Sequence, residues 1–133
     1  MTRLLIDTSA YSAFLRGHEA IREEIGRAGE LATTPIVLGE LLAGFRKGTR
    51  FDRNLARLRE FLGSPRARFL TIDDETANRY SIVRDDLRRA GTPIPTNDLW
   101  IAASAMQHGL RVLTTDPHFR RVSQIVVSLH RVD

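Results

Sequence analysis

The chain has no cysteine. That removes disulfides, thiolate metal sites and thiol nucleophiles together, and it fits a cytoplasmic protein. Lysine is almost missing too: Lys47 is the only one, and every other fixed cation is an arginine. No stretch approaches the ~20 apolar residues that a membrane span needs, so no membrane role is expected. The opening segment MTRLLIDTSAY enters a strand-like run directly, without a secretory h-region. There is no P-loop, no G-x-G-x-x-G after a strand, no H-E-x-x-H and no G-x-S-x-G. The four histidines, His18, His108, His118 and His130, are scattered and share no predicted face. They read as ordinary surface or strand-end residues, and a histidine-pair ribonuclease gains no support. A phosphoaspartate enzyme built on Asp7 would want a second aspartate two residues on, where Ser9 stands.

What is present is one domain's worth of chain, 133 residues with 42% hydrophobic and 27% charged content, the balance of a single globular unit over 1–133. Lys+Arg total 20 against 16 Asp+Glu, a net charge of +4. Arginine forks match phosphate geometry, so a basic, arginine-rich surface suits a nucleic-acid substrate. A GC-rich genome would also favour arginine over lysine, so the positive sign carries more weight than the Arg-to-Lys ratio.

Short apolar runs alternate with helical periods. Strands are expected at 3–7, 30–34, 68–72, 111–115 and 124–129. Helices are expected at 9–16, 19–29, 35–47, from Thr49 as cap to about 62, from 73–74 to about 89, and over 98–108 with Asn97 as N-cap. Alternation of this kind predicts an α/β fold, a three-layer α/β/α sandwich around a mostly parallel sheet. In such sheets ligands bind beyond the C-terminal ends of the strands.

Four acids stand out against that frame: Asp7 in LLIDTSAY, Glu40 in IVLGELLAG, Asp98 in IPTNDLWIAA and Asp116 in VLTTDPHF. Asp7 and Asp116 close predicted strands. Glu40 shares a helical face with Ile36, Val37, Leu41 and Gly44, and Asp98 with Ile101, Ala102 and Ala105. An acid on an apolar face needs a partner. Taken singly, Asp7 could be an N-cap, Asp98 a first-turn acid and Asp116 a turn residue. Gathered together, two carboxylates ~4 Å apart repel by about 4 kcal/mol at an effective dielectric of 20. One or two Mg²⁺ or Mn²⁺ ions would offset that charge and supply phosphodiester hydrolysis through an activated water. The clusters Arg46, Lys47, Arg50 and Arg84, Arg88, Arg89 are candidates to follow an RNA backbone. Trp100, off the Asp98 stripe, suits either core packing or an interface.

These segments resemble the PIN-domain nucleases, and within them the VapC-type toxins. The motifs are LLIDTSAYSAFL (4–15), TPIVLGELLAGF (34–45) and PTNDLWIAASAMQHGLRVLTTDPHF (95–119), and the likeness spans nearly the whole chain. The resemblance implies a Mg²⁺- or Mn²⁺-dependent endoribonuclease with Asp7, Glu40, Asp98 and Asp116 at its centre. It places Thr8 or Ser9 and Thr115 around the pit, with Asn97 in support. It further implies a homodimer, an RNA substrate and inhibition by a cognate antitoxin. Two rivals differ in role: a non-catalytic RNA- or protein-binding module, and a housekeeping RNA-processing nuclease.

Overall fold

A computed structural model describes residues 1–132. Strands β1 (Arg3–Ile6) and β4 (Arg111–Thr114) each expose only their first residue and bury the next three. Buried runs of this kind suit the middle of a parallel sheet, where both faces are covered. With β2 (Glu30–Thr33), β3 (Ala67–Phe69) and β5 (Val127–Leu129) they form a five-stranded sheet in the order β3-β2-β1-β4-β5. Every pairing is parallel, with Leu5 set between Ala32 and Val112. The expected sheet was mostly parallel; the described one is wholly so.

Helices α1 (Thr8–Leu15) and α2 (Glu19–Arg27) join β1 to β2, and α3 (Pro35–Lys47) and α4 (Phe51–Leu62) join β2 to β3. Helices α5 (Asp74–Ala90) and α6 (Thr96–His108) carry the chain back across β1 to β4. Right-handed crossovers put α1–α4 on one face and α5–α6 on the other, the three layers of the predicted sandwich. Strand order reverses between β1 and β4, so the crevice of this doubly wound sheet opens just beyond Ile6 and Thr114. A 3₁₀ turn (Pro117–Arg121) follows β4, anchored by Phe119, which is fully buried.

Several boundaries differ from expectation. β3 covers 67–69 rather than 68–72, because Thr71 to Asp73 lead into the α5 cap instead of pairing. β5 starts at Val127, not at Gln124. α2 ends at Arg27 with Ala28 extended, short of the expected 29; Gly29 lies under the Met1 side chain, where a Cβ would meet Met1 atoms at 2.7 Å. Arg50, not Thr49, occupies the α4 cap position, with no side-chain cap bond. Pro95 precedes α6, which leaves Asn97 inside the first turn and free for another task. Gly44 is exposed, so the buried stripe of α3 runs through Val37 and Leu41 to Phe45. His18 and His130, unrelated in sequence, meet edge to face with centroids 5.9 Å apart, and His130 lies 2.7 Å from Glu24. No described helix is long and apolar enough to cross a membrane.

Candidate active site

Asp7 follows β1 directly. Its N–H donates to the Leu113 carbonyl (3.0 Å), which carries the β1–β4 ladder one residue past the strand and fixes where the side chain emerges. The residue is 4% exposed. It stands at the N-cap position of α1, yet its carboxylate caps nothing. Instead Oδ2 accepts from Ser9 Oγ and Thr114 Oγ1, both at 2.7 Å. Burial holds the Asp7 carboxyl above its ordinary range, and the Glu40 charge adds to that; the bonds from Ser9, Thr114 and the Thr8 backbone pull the other way.

Glu40 projects from the middle of α3. That helix is started by Thr34, whose hydroxyl accepts from Val37 N–H, and by Pro35 at its first position. Glu40 Oε1 accepts from Thr8 Oγ1 (2.6 Å) and Oε2 from Asn97 Nδ2 (3.3 Å). One carboxylate thus ties together α1, α3 and α6.

Asp98 sits in the first turn of α6, behind a run of small buried residues, Ala102, Ala103, Ser104 and Ala105, that lets the helix lie close. Its side chain is 13% exposed. Burial first, then the charges of Asp7, Asp116 and Glu40, push its carboxyl up to about 7, with His118 opposing. Asp7, Asp116 and Glu40 therefore all stand near enough for their charges to act on Asp98, and Glu40 on Asp7. Asp116 leaves the end of β4. Its N–H donates to Thr114 Oγ1 (2.9 Å), and its Oδ1 accepts from the His118 backbone N–H (2.9 Å), capping the 3₁₀ turn.

Two residues that sequence reading passed over belong to this place. Thr114 supplies the hydroxyl on Asp7, whereas Thr115 contributes its backbone N–H to Ser9 Oγ (3.1 Å). The pleat decides this, since alternate strand residues face opposite ways. His118 turns its ring toward the acids, with Nδ1 3.1 Å from Asp116 Oδ1 and 3.9 Å from Asp98 Oδ2. Asp-Pro-His held a signal: an aspartate followed by proline favours a cap-and-turn, which brings residue i+2 back to the carboxylate.

No lysine or arginine lies within 4.0 Å of these four carboxylates among the described residues. Ligand atoms of Asp98, Asp116 and His118 all fall within 4.8 Å of one another. An oxygen-rich cluster without a resident cation partner fits a hard divalent metal. The outlying cations divide. Arg88 and Arg89 pair with Asp85 at 2.6 and 2.8 Å, and Arg46 lies over the Phe51 ring at 4.3 Å. Lys47, Arg50 and Arg84 are exposed. Trp100 is half-buried and stacks on Tyr80 at 4.1 Å, a contact between α6 and α5.

Fold and site together define a doubly wound parallel α/β domain that holds an acidic pit at its topological switch point. The PIN domain matches residues 4–125 of the chain. Ribonuclease VapC4 of Mycobacterium tuberculosis is 32% identical over 127 residues, 94% of this chain and 95% of that relative. The crystal structure of DNA-bound VapBC from Salmonella typhimurium superposes with a TM-score of 0.84 at 30% identity, covering 96% of this chain and 98% of that one. VapBC-5 from Mycobacterium tuberculosis, a member of the VapBC family of toxin–antitoxin systems, superposes with a TM-score of 0.72 at 28% identity, covering 99% and 100%. The chain belongs to the PIN-domain family.

Proposed function

We propose that this chain is a divalent-metal-dependent endoribonuclease, the toxin of a VapBC-type toxin–antitoxin pair, acting as one nuclease domain over 1–133. The observation that carries the reading is the meeting of Asp7, Glu40, Asp98 and Asp116 from β1, α3, α6 and the end of β4 with no fixed cation among them. Mg²⁺ or Mn²⁺ held by these carboxylates supplies the positive centre that phosphodiester hydrolysis needs. The protein's own groups do the rest. Ser9 and Thr114 orient Asp7, and Thr8 and Asn97 orient Glu40, so two carboxylates are set before any ligand arrives. Burial and the neighbouring acids push the Asp98 carboxyl up to about 7, so a bound cation would compete with its proton. The exposed arginines and Lys47 offer the RNA backbone a positive approach.

Kinship with VapBC members supports a cognate antitoxin as partner, and by the same kinship we place the protein in the cytoplasm as a homodimer. The test is direct. Purified protein with Mg²⁺ or Mn²⁺ should cut RNA to leave 5′-phosphate and 3′-hydroxyl ends, and EDTA should stop it. Cyclic-phosphate ends, or cleavage that survives chelation, would end the hydrolytic reading. A short neighbouring reading frame whose product suppresses the activity would establish the toxin role.

A further inference from the structure

We propose that His118 is a nitrogen ligand on the Asp98–Asp116 side of the pit and tilts this site toward manganese and other transition cations over magnesium. The inference rests on the metal-dependent reading above and concerns a residue outside the carboxylate set. Three observations carry it. His118 Nδ1 is sealed from water and has no hydrogen-bond partner, although the ring as a whole keeps 39% of its surface exposed. The atom lies 3.1 Å from Asp116 Oδ1, yet it is not aligned to bond with it, and 3.9 Å from Asp98 Oδ2. Finally, the ring's backbone is pinned. The His118 N–H donates to Asp116 Oδ1, Pro117 precedes it and the buried Phe119 follows.

A buried polar atom without a partner is uncommon and asks for a reason. Here the atom is a potential imidazole lone pair that lies beside two carboxylates which themselves lack a fixed cation. A surface histidine with no such role would turn Nδ1 to water. Imidazole nitrogen favours first-row transition cations, Co²⁺ and Zn²⁺ more than Mn²⁺, whereas Mg²⁺ prefers an all-oxygen shell and keeps its waters. A two-carboxylate, one-imidazole set therefore separates these ions, where a purely carboxylate set would discriminate less.

The experiment is titration calorimetry of metal-free protein with Mg²⁺, Mn²⁺ and Co²⁺, joined to pulsed EPR of bound Mn²⁺. Wild type should show ¹⁴N coupling to Mn²⁺. His118→Ala should lose that coupling and about tenfold or more of its Mn²⁺ and Co²⁺ affinity, with Mg²⁺ affinity changed less than about threefold. His118→Asn, which restores a short polar side chain with an oxygen, should bind Mg²⁺ as wild type does and still lack the ¹⁴N coupling. Thermal melts of each variant check that the fold is intact. Absence of nitrogen coupling in wild type, or equal losses for Mg²⁺ and Mn²⁺ in His118→Ala, overturns the inference. Asp98→Asn separates the two levels. If it abolishes Mn²⁺ binding while His118→Ala has no effect, the ligand role of His118 falls and the acidic site stands. If it leaves Mn²⁺ binding untouched, both fall.

Discussion

The two halves of the acidic pit are built on different terms. Asp7 and Glu40 are held by neutral donors: two hydroxyls on Asp7, and a hydroxyl and an amide on Glu40. Asp116 has only its own turn's backbone N–H, and Asp98 lies 3.9 Å from His118 Nδ1 and within 4.8 Å of a ligand atom of Asp116, without a donor of that kind. Neutral donors stabilise a carboxylate's charge without neutralising it. The first half is therefore preset by fixed donors. In the second half, burial and then the charges of Asp7, Asp116 and Glu40 push the Asp98 carboxyl up to about 7. One side positions and the other responds.

The sharpest way to break this contrast is to remove charge from each half. Asp7→Asn and Asp98→Asn should each reduce Mg²⁺-dependent RNA cleavage by more than about a hundredfold, beyond what loss of a supporting contact produces. Activity within tenfold of wild type in either would dismiss that residue from the centre. Next come the supports of the preset half. Thr114→Val keeps shape and removes the donor to Asp7 Oδ2. It should lower activity by roughly 10–100-fold while the protein still melts cooperatively. An unchanged rate would mean that burial alone positions Asp7.

The responsive half is read through pH. In metal-free protein the Asp98 carboxyl is raised to about 7 from its ordinary value of 3.8. The folded state thus keeps a proton that the unfolded chain has already lost, so the stability from this group is lost as pH rises from about 4 through 7. The melting temperature of metal-free wild type should fall over that window. Asp98→Asn should flatten the fall, and saturating Mg²⁺ should reverse it. A profile identical in wild type and variant would assign the pH response elsewhere.

The smallest effects belong to the periphery. RNA binding to the Asp98→Asn protein should weaken with salt. Arg50→Gln should reduce the slope of log affinity against log salt by about 1 if Arg50 meets a phosphate. Arg88→Gln should change it less, because Asp85 already occupies that guanidinium at 2.6 Å. Equal slopes in all three proteins would remove these arginines from the RNA path.

Much of this was legible in the chain. Alternating apolar runs and helical periods pointed to the parallel sandwich, and each acid was conspicuous because apolar neighbours bound it to a buried segment. The elements were less sharp at their ends. Asn97 looked like a cap because Asn before an apolar helix usually is one; Pro95 took that position, and the amide turned to Glu40 instead. Thr114 and Thr115 were indistinguishable in sequence, since only the register of β4 says which hydroxyl faces Asp7. The histidines looked unrelated, yet His18 meets His130 and His118 meets Asp98 across separations that no local pattern records.

The amino-acid sequence by itself determined the layers and the identity of the acids, because periodicity and burial are local properties of a chain. Tertiary structure alone decided which donors hold which carboxylate and that an imidazole joins the responsive side. Those pairings depend on distances of a few ångströms between segments far apart in sequence, and only the packed sheet and its crossovers set them.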